Sequence, residues 1–344
     1  MKKDHPHSRF VTVRGVNYHY LEYPASGPGL FLLHGLGSST YSWEAMAPLL
    51  QDAGCRVYAL DLKGSGWSDK PADSEYDLFT RRDEIDQWLE TMGLRTVIFV
   101  GNSLGGSLAL LLALENPDRI SRLVLIDAAA YLKKLPWVFR LARLPFSEEL
   151  SKIIFKRWLI KLAMKQAFFR QDRVTAERID AYFERLKSPG CLEAQIALIR
   201  SLDFRILSRY DQCFPSIAIP TLLIWGEEDP WIKLSVGRRL ARDLPHSTLR
   251  IIPRCGHAPQ EERPEETAGL IIDWLNSDDL AKVPNCHPEP RAGHPEPCAS
   301  CHPERSEGSR FSAQDKLREG SRFSAQGKHR EGSCNLKKLD SEFK

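Results

Sequence analysis

The chain has 344 residues, 42% of them hydrophobic, enough for one large core or two modest ones. A formal net charge of only +3 offers no global field to nucleic acid, and no apolar run reaches the roughly 18 residues a membrane span needs. The start Met1-Lys2-Lys3-Asp4-His5-Pro6 is polar, and eight scattered cysteines form no compact framework, so the expectation is reduced thiols in a cytoplasmic protein.

Arg9 to Glu22 reads as a hairpin turning at Arg14-Gly15. Leu30-Phe31-Leu32-Leu33 is wholly apolar, as suits a strand covered on both faces, and runs into His34-Gly35-Leu36-Gly37-Ser38-Ser39. That turn has neither the glycine spacing of G-x-G-x-x-G nor the lysine of a P-loop, so a nucleotide site is the poorer reading. A turn that presents the backbone N–H of Leu36 fits better. Ser42 to Ala53 predicts a helix, Arg56 to Leu60 a strand, and Asp77 to Met92 an amphipathic helix closed by Gly93.

Val97-Ile98-Phe99-Val100 then leads through Gly101-Asn102-Ser103-Leu104-Gly105 into an apolar helix reaching about Leu114. A serine pushed up between strand and helix occupies a strained backbone, tolerable only if Gly101 and Gly105 let the two elements approach. It gains an exposed hydroxyl at a helix start, where free N–H groups such as that of Leu104 stabilise negative charge. Leu123 to Ile126 gives a further strand ending at Asp127.

Strand and helix alternate up to this point, the mark of a parallel sheet. From Ala130 to Phe214 the alternation stops. The segment is helical in period, is broken at Leu135-Pro136-Trp137 and Leu144-Pro145-Phe146, and lacks a convincing strand. An all-helical insertion between strands of a parallel sheet predicts a lid over their carboxyl ends. Its stretch from Tyr131 to Arg170 holds ten basic residues and two acidic ones. Alternation resumes at Ile219 to Gly226 and passes through Glu227-Glu228-Asp229-Pro230-Trp231. A helix from Lys233 to Asp243 follows, then a strand at Thr248 to Ile252, the turn Pro253 to Pro259, and a helix from Pro264 to Leu275.

The tail differs in kind. His-Pro-Glu recurs at His287, His294 and His302, and an eight-residue unit at Glu307 recurs at Glu319. Such a polar, aromatic-poor stretch cannot bury enough apolar surface to order itself, and it is expected to be disordered and without function. Cys298-Ala299-Ser300-Cys301-His302 matches a haem-attachment pattern, and with Cys286-His287 can be drawn as a zinc site. It lies within the repeats, and the expectation is no metal and no cofactor.

Ser103, Asp229 and His257 each follow a predicted strand, in that chain order. With His34-Gly35-Leu36-Gly37, Gly101-x-Ser103-x-Gly105, Gly226-Glu227-Glu228-Asp229 and Gly256-His257-Ala258-Pro259, the chain from about residue 8 to 277 resembles the α/β-hydrolase family. The likeness is to serine-nucleophile, esterase- or lipase-like members with a helical cap. It implies a doubly wound, mostly parallel α/β sheet: a core over 1–129 and 215–278, a cap over 130–214, and a tail over 279–344. It implies Ser103 as nucleophile, His257 as general base and Asp229 as its partner, with Glu227, Glu228 and Asp127 as rival acids. The N–H groups of Leu36 and Leu104 would form the oxyanion hole, supported by His34, Gly35, Gly101 and Gly105. Relatives that open epoxides or displace halide carry aspartate at the elbow, so Ser103 disfavours both.

The reaction expected from the resemblance is hydrolysis of a small-molecule ester or lipid with an apolar acyl group. Carbon–carbon cleavage of diketo acids, acyl transfer and non-enzymatic ligand binding are the alternatives. The aromatic residues Trp137, Phe139, Phe146, Phe155, Trp158, Phe168 and Phe169 serve either the insertion's own core or an acyl pocket, and its basic balance suits weak contact with an anionic membrane surface.

Overall fold

The computed structural model describes residues 5–133, 137–144, 146–149 and 155–277. Leu135-Pro136, Pro145, the side chain of Trp137 and the repetitive tail with Cys286, Cys298, Cys301 and His302 lie outside the described residues.

Eight strands form one sheet in the order β1-β2-β4-β3-β5-β6-β7-β8. β1 (Ser8–Val13) and β2 (Val16–Tyr23) make the hairpin, whose central residues Arg14 and Gly15 both take positive φ, as a two-residue turn requires. β2 runs antiparallel to β4 (Arg56–Leu60). From there β3 (Gly29–Leu33), β5 (Val97–Asn102), β6 (Ile120–Ile126), β7 (Thr221–Gly226) and β8 (Ser247–Ile252) are parallel neighbours, so their carboxyl ends share one edge.

Side chains alternate across the sheet, which explains the unbroken apolar runs. Phe31, Leu33, Phe99, Leu123, Leu125, Leu223 and Trp225 join one core; Leu30, Leu32, Ile98, Val100, Val124, Ile126, Leu222 and Ile224 join the other. On the second face lies α1 (Ala47–Asp52), burying Ala47 and Leu50. The expected helix over Ser42–Ala53 is divided: Thr40–Trp43 is a 3₁₀ turn and α1 begins only at Ala47. Pro48 explains the break, because inside a longer helix its ring would strike the carbonyl four residues back, whereas the first turn accepts it.

The first face is covered by α2 (Leu78–Thr91) and α3 (Leu104–Glu115). α2 starts where Asp77 accepts N–H bonds from Phe79 and Thr80 at 2.8 and 3.0 Å, a cap worth about 1 kcal/mol. α3 is apolar all round, as befits a helix wedged between sheet and neighbours.

Between β6 and β7 the described residues carry helices and no strand. The longer ones are α4 (Arg157–Ala167), α5 (Ala176–Leu186), α6 (Cys191–Ser201) and α7 (Phe204–Asp211). α8 (Leu234–Asp243) then returns to the first face, and α9 (Pro264–Leu275) packs Ala268 and Ile271 on the second.

Among the described residues no helix is long and apolar enough to cross a membrane. Among the described residues Cys55, Cys191 and Cys255 are free and buried.

Candidate active site

The carboxyl ends of β5, β6, β7 and β8 carry Ser103, Asp127, Asp229 and His257 on one edge of the sheet. Ser103 stands at φ 51° and ψ −112°, a conformation that L-residues avoid. The backbone around it fixes this strain. Its N–H donates to Ile126 O at 3.0 Å, and its carbonyl accepts from Gly106, Ser107 and Ala129 at 3.0–3.2 Å. A side chain at Gly105 would put Cβ 2.2 Å from Leu33 O, and one at Gly101 would lie 2.5 Å from the Gly105 carbonyl. The two glycines therefore permit the close approach that raises the hydroxyl. Gly35 backs the same point, since its Cβ would come to 3.1 Å from Ser103 Cβ.

His257 is buried, and its Nδ1 donates to Asp229 Oδ2 at 2.6 Å. Asp229 is in turn held rigidly: Oδ1 accepts from the N–H groups of Trp231 and Ile232 at 2.7 and 3.0 Å. The Trp231 ring packs on the imidazole, centroids 5.0 Å apart. Ser103 and His257 line the same cavity, and Ser103 Oγ makes no hydrogen bond to any described residue, His257 included. Leu36 and Leu104 line that cavity too. The N–H of Leu104 opens α3, where no intrahelical acceptor exists, and that of Leu36 makes no hydrogen bond among the described residues.

The rival acids take other places. Glu228 accepts from Cys255 N–H at 2.9 Å and so braces the histidine turn, while Glu227 is exposed. Asp127 is fully buried; its Oδ1 accepts from Gly226 N–H at 3.0 Å and its Oδ2 has no hydrogen-bond partner among the described residues. Burial, with the negative charge of Asp229 beside it, pushes the Asp127 carboxyl well above the usual carboxylate range. Asp127, Asp229 and His257 are the one set among the described residues close enough to share a metal ion, within 4.8 Å of one another. The oxygens of Asp229 are already engaged by an N–H of His257 and two of the backbone, so the set reads as a hydrogen-bonded cluster.

His34 is wholly buried and occupied. Nδ1 donates to Gly35 O at 2.8 Å and Nε2 accepts from Leu62 N–H at 3.2 Å, pinning the turn that carries Leu36. Burial pushes its pKa down, consistent with a neutral ring making these two bonds.

Five polar residues that sequence reasoning passed over tie the helical insertion to this edge. Gln195 of α6 accepts from Gly37 N–H at 3.2 Å and donates to Gly64 O at 3.0 Å. Glu262 accepts from Gly256 N–H at 2.9 Å and Arg170 N–H at 2.8 Å, joining the histidine turn to the chain after α4. Tyr182 donates to Glu261 at 2.6 Å, and Arg178 pairs with the same carboxylate at 2.5 Å. No local pattern marks these residues, because all but one of their partners, Gly256, are distant in sequence.

The cavity holds about 600 Å³. Its wall away from Ser103 is aliphatic and aromatic, with Leu159, Ile199, Leu207 and Phe214 among its residues, and no lysine or arginine lines it among the described residues. The aromatic residues of the insertion divide: Phe139, Phe155 and Phe168 line the cavity, whereas Phe146, Trp158 and Phe169 face outward.

A profile of the alpha/beta hydrolase fold matches residues 28–264. The uncharacterized hydrolase YugF of Bacillus subtilis (strain 168) is 31% identical over 277 residues, covering 78% of this chain and 97% of the relative. Among solved structures, a meta-cleavage product hydrolase from Pseudomonas fluorescens IP01 is 25% identical with a TM-score of 0.67, covering 78% of this chain and 97% of that one. A membrane phospholipase A described as a bacterial virulence factor is 27% identical with a TM-score of 0.63, covering 80% and 86%.

Proposed function

The chain belongs to the alpha/beta hydrolase fold family and is a hydrolase; from that premise we propose that it cleaves carboxylic esters bearing an apolar acyl group, through a serine nucleophile. In this reading residues 1–129 and 215–278 form the catalytic body and 130–214 the cap. One observation carries it: the Asp229–His257 hydrogen bond stands on the wall of an apolar cavity that also exposes Ser103 at a strained elbow.

His257 Nε2 takes the Ser103 proton as Oγ bonds to the acyl carbon. The carbonyl oxygen becomes an oxyanion facing the N–H groups of Leu36 and Leu104, each worth about 3 kcal/mol of barrier. The imidazolium, oriented by Asp229, returns the proton to the leaving alcohol oxygen as the ester C–O bond breaks. Water then adds to the acyl-enzyme by the same route and releases the acid. No cofactor enters this cycle.

A second reading, carbon–carbon cleavage, is favoured by the meta-cleavage product hydrolase among the similar structures. Diketo acids are anionic, however, and the described cavity lining offers the acidic Asp211 and Glu261 but no cation. Serine in place of aspartate at the elbow disfavours epoxide opening. The test is a substrate panel: p-nitrophenyl esters of increasing acyl length against vinylogous 1,5-diketo acids. Turnover of the esters, abolished in Ser103→Ala, supports the proposal; turnover of the diketo acids alone overturns it. Added alcohol separates hydrolysis from acyl transfer.

A further inference from the structure

α4 has two apolar faces where a surface helix needs one. Ile160, Met164 and Ala167 are buried against the insertion, as expected. On the opposite face Trp158 and Leu162, four residues apart, are 57% and 41% exposed. Lys161 and Lys165 fall three and seven residues after Trp158, on that same outward face. Neither lysine makes an ion pair with a described residue, whereas Arg157 at the helix start is engaged by Asp180.

This face continues onto the cavity rim. Leu144 and Leu162 are both solvent-exposed and part of the cavity lining, so the opening itself is apolar. Phe146, 77% exposed, follows Leu144 two residues on. Seven large hydrophobic side chains are exposed among the described residues, and five of them fall between Leu144 and Phe169. A random scatter needs no explanation, but five in one segment, two of which also line the cavity, do.

We propose that this face of the insertion docks on an anionic lipid bilayer, with Trp158, Leu162 and Phe146 entering the interfacial region and Lys161 and Lys165 meeting the headgroups. Charge selects the occupant. On this face Lys161 and Lys165 have no ion-pair partner among the described residues, so a symmetric contact between two copies would bring like charges together. A plane of anionic headgroups over acyl chains complements both features at once: lysines at headgroup depth, aromatic and aliphatic side chains below. The contact proposed is with the bilayer surface; among the described residues no helix is long and apolar enough to cross a membrane. Docking in this pose sets the apolar opening against the bilayer, and an acyl substrate passes to Ser103 without crossing water. The inference extends the proposed ester specificity to substrates that partition into membranes, but the docking itself does not require turnover.

The test uses the full chain carrying Ser103→Ala, so that lipid is not consumed during the measurement. Binding is read by co-sedimentation with vesicles of phosphatidylcholine alone and of equal parts phosphatidylcholine and phosphatidylglycerol. Preferential binding to the anionic vesicles, weakened by salt, is expected. Lys161→Gln with Lys165→Gln should lower that affinity about 30-fold, taking about 1 kcal/mol for each lysine near the surface. Trp158→Ser with Phe146→Ser should weaken binding to both vesicle types. In an otherwise wild-type chain all four substitutions should leave turnover of soluble p-nitrophenyl butyrate unchanged, which shows that the variants fold. Equal binding to neutral and anionic vesicles, or binding indifferent to these substitutions, overturns the proposal. So does a dimer that Trp158→Ser dissociates, since that would make the patch a contact between copies. Failure of ester hydrolysis with vesicle binding intact would instead overturn the enzymatic reading alone.

Discussion

Replacing Asp229 by asparagine changes almost no volume, yet it should remove nearly all activity. Oδ1 of Asp229 accepts two fixed backbone donors, Trp231 N–H at 2.7 Å and Ile232 N–H at 3.0 Å. The asparagine oxygen must take that place, because the reverse orientation would aim an NH₂ group at two N–H groups. The NH₂ then occupies the position of Oδ2, 2.6 Å from His257 Nδ1. A ring nitrogen that donated must now accept, and the imidazole proton shifts to Nε2. That atom is the one required to receive the Ser103 proton. The expected loss in kcat is about 10⁴-fold, or about 5 kcal/mol of barrier. Asp127→Asn serves as the contrast: burial and the neighbouring Asp229 push its carboxyl upward, toward the neutral form an amide mimics, and an amide oxygen can keep the bond from Gly226 N–H. Its loss should stay within about tenfold, since it leaves the imidazole tautomer unchanged. Initial rates with p-nitrophenyl octanoate, alongside thermal melts to show that each variant folds, make the comparison. An Asp229→Asn enzyme within tenfold of wild type, or an Asp127→Asn enzyme equally crippled, would refute the assignment.

Each methylene that enters the cavity should add up to about 0.8 kcal/mol, so kcat/KM for p-nitrophenyl esters should rise as much as fourfold per carbon until the space is filled. Leu159→Trp, which adds bulk to the cavity wall, should end that rise at a shorter chain; a flat profile in both enzymes would contradict it. Gly105→Ala places a methyl 2.2 Å from the Leu33 carbonyl, where only backbone can give way. It should cost about 3 kcal/mol and lower Tm by on the order of 5–10 °C, read by calorimetry. Burial pushes Asp211 from 3.8 up to about 6, so between those pH values the folded chain holds a proton that the unfolded chain has released. Stability should therefore fall as pH rises through that window, by about 1–2 kcal/mol after solvent screening, and Asp211→Asn should remove this part of the slope in urea melts.

Much of the fold was legible because strand burial on two faces leaves an unmistakable mark. Leu30 to Leu33 and Val97 to Val100 are apolar without alternation, and all eight residues are buried. The elbow was legible for a similar reason: Gly101 and Gly105 are needed where backbones approach, and few other arrangements demand glycine at that spacing. The division near Trp43 was not, although Pro48 was visible; its weight appears only once a helix through it is drawn. The insertion resisted most. Phe168 and Phe169 are adjacent and chemically identical, yet one is buried and lines the cavity while the other is nearly half exposed. Helical period says which residues share a face but not which of two apolar faces meets the sheet. Gln195 and Glu262 look like solvated polar positions in their own segments, and their partners Gly37 and Arg170 lie elsewhere in the sequence. Asp229 was preferred to Asp127 on the sequence because it sits in the turn after the penultimate strand, and the hydrogen bond to His257 lies on Asp229.

The most direct measurement is reaction of the full chain with a fluorophosphonate, a reagent that phosphonylates serine only when a neighbouring base activates it. The account predicts a single adduct on the peptide containing Ser103, absent in Ser103→Ala and strongly slowed in His257→Ala. No adduct on a folded protein, or an adduct at another serine that Ser103→Ala leaves intact, would contradict it.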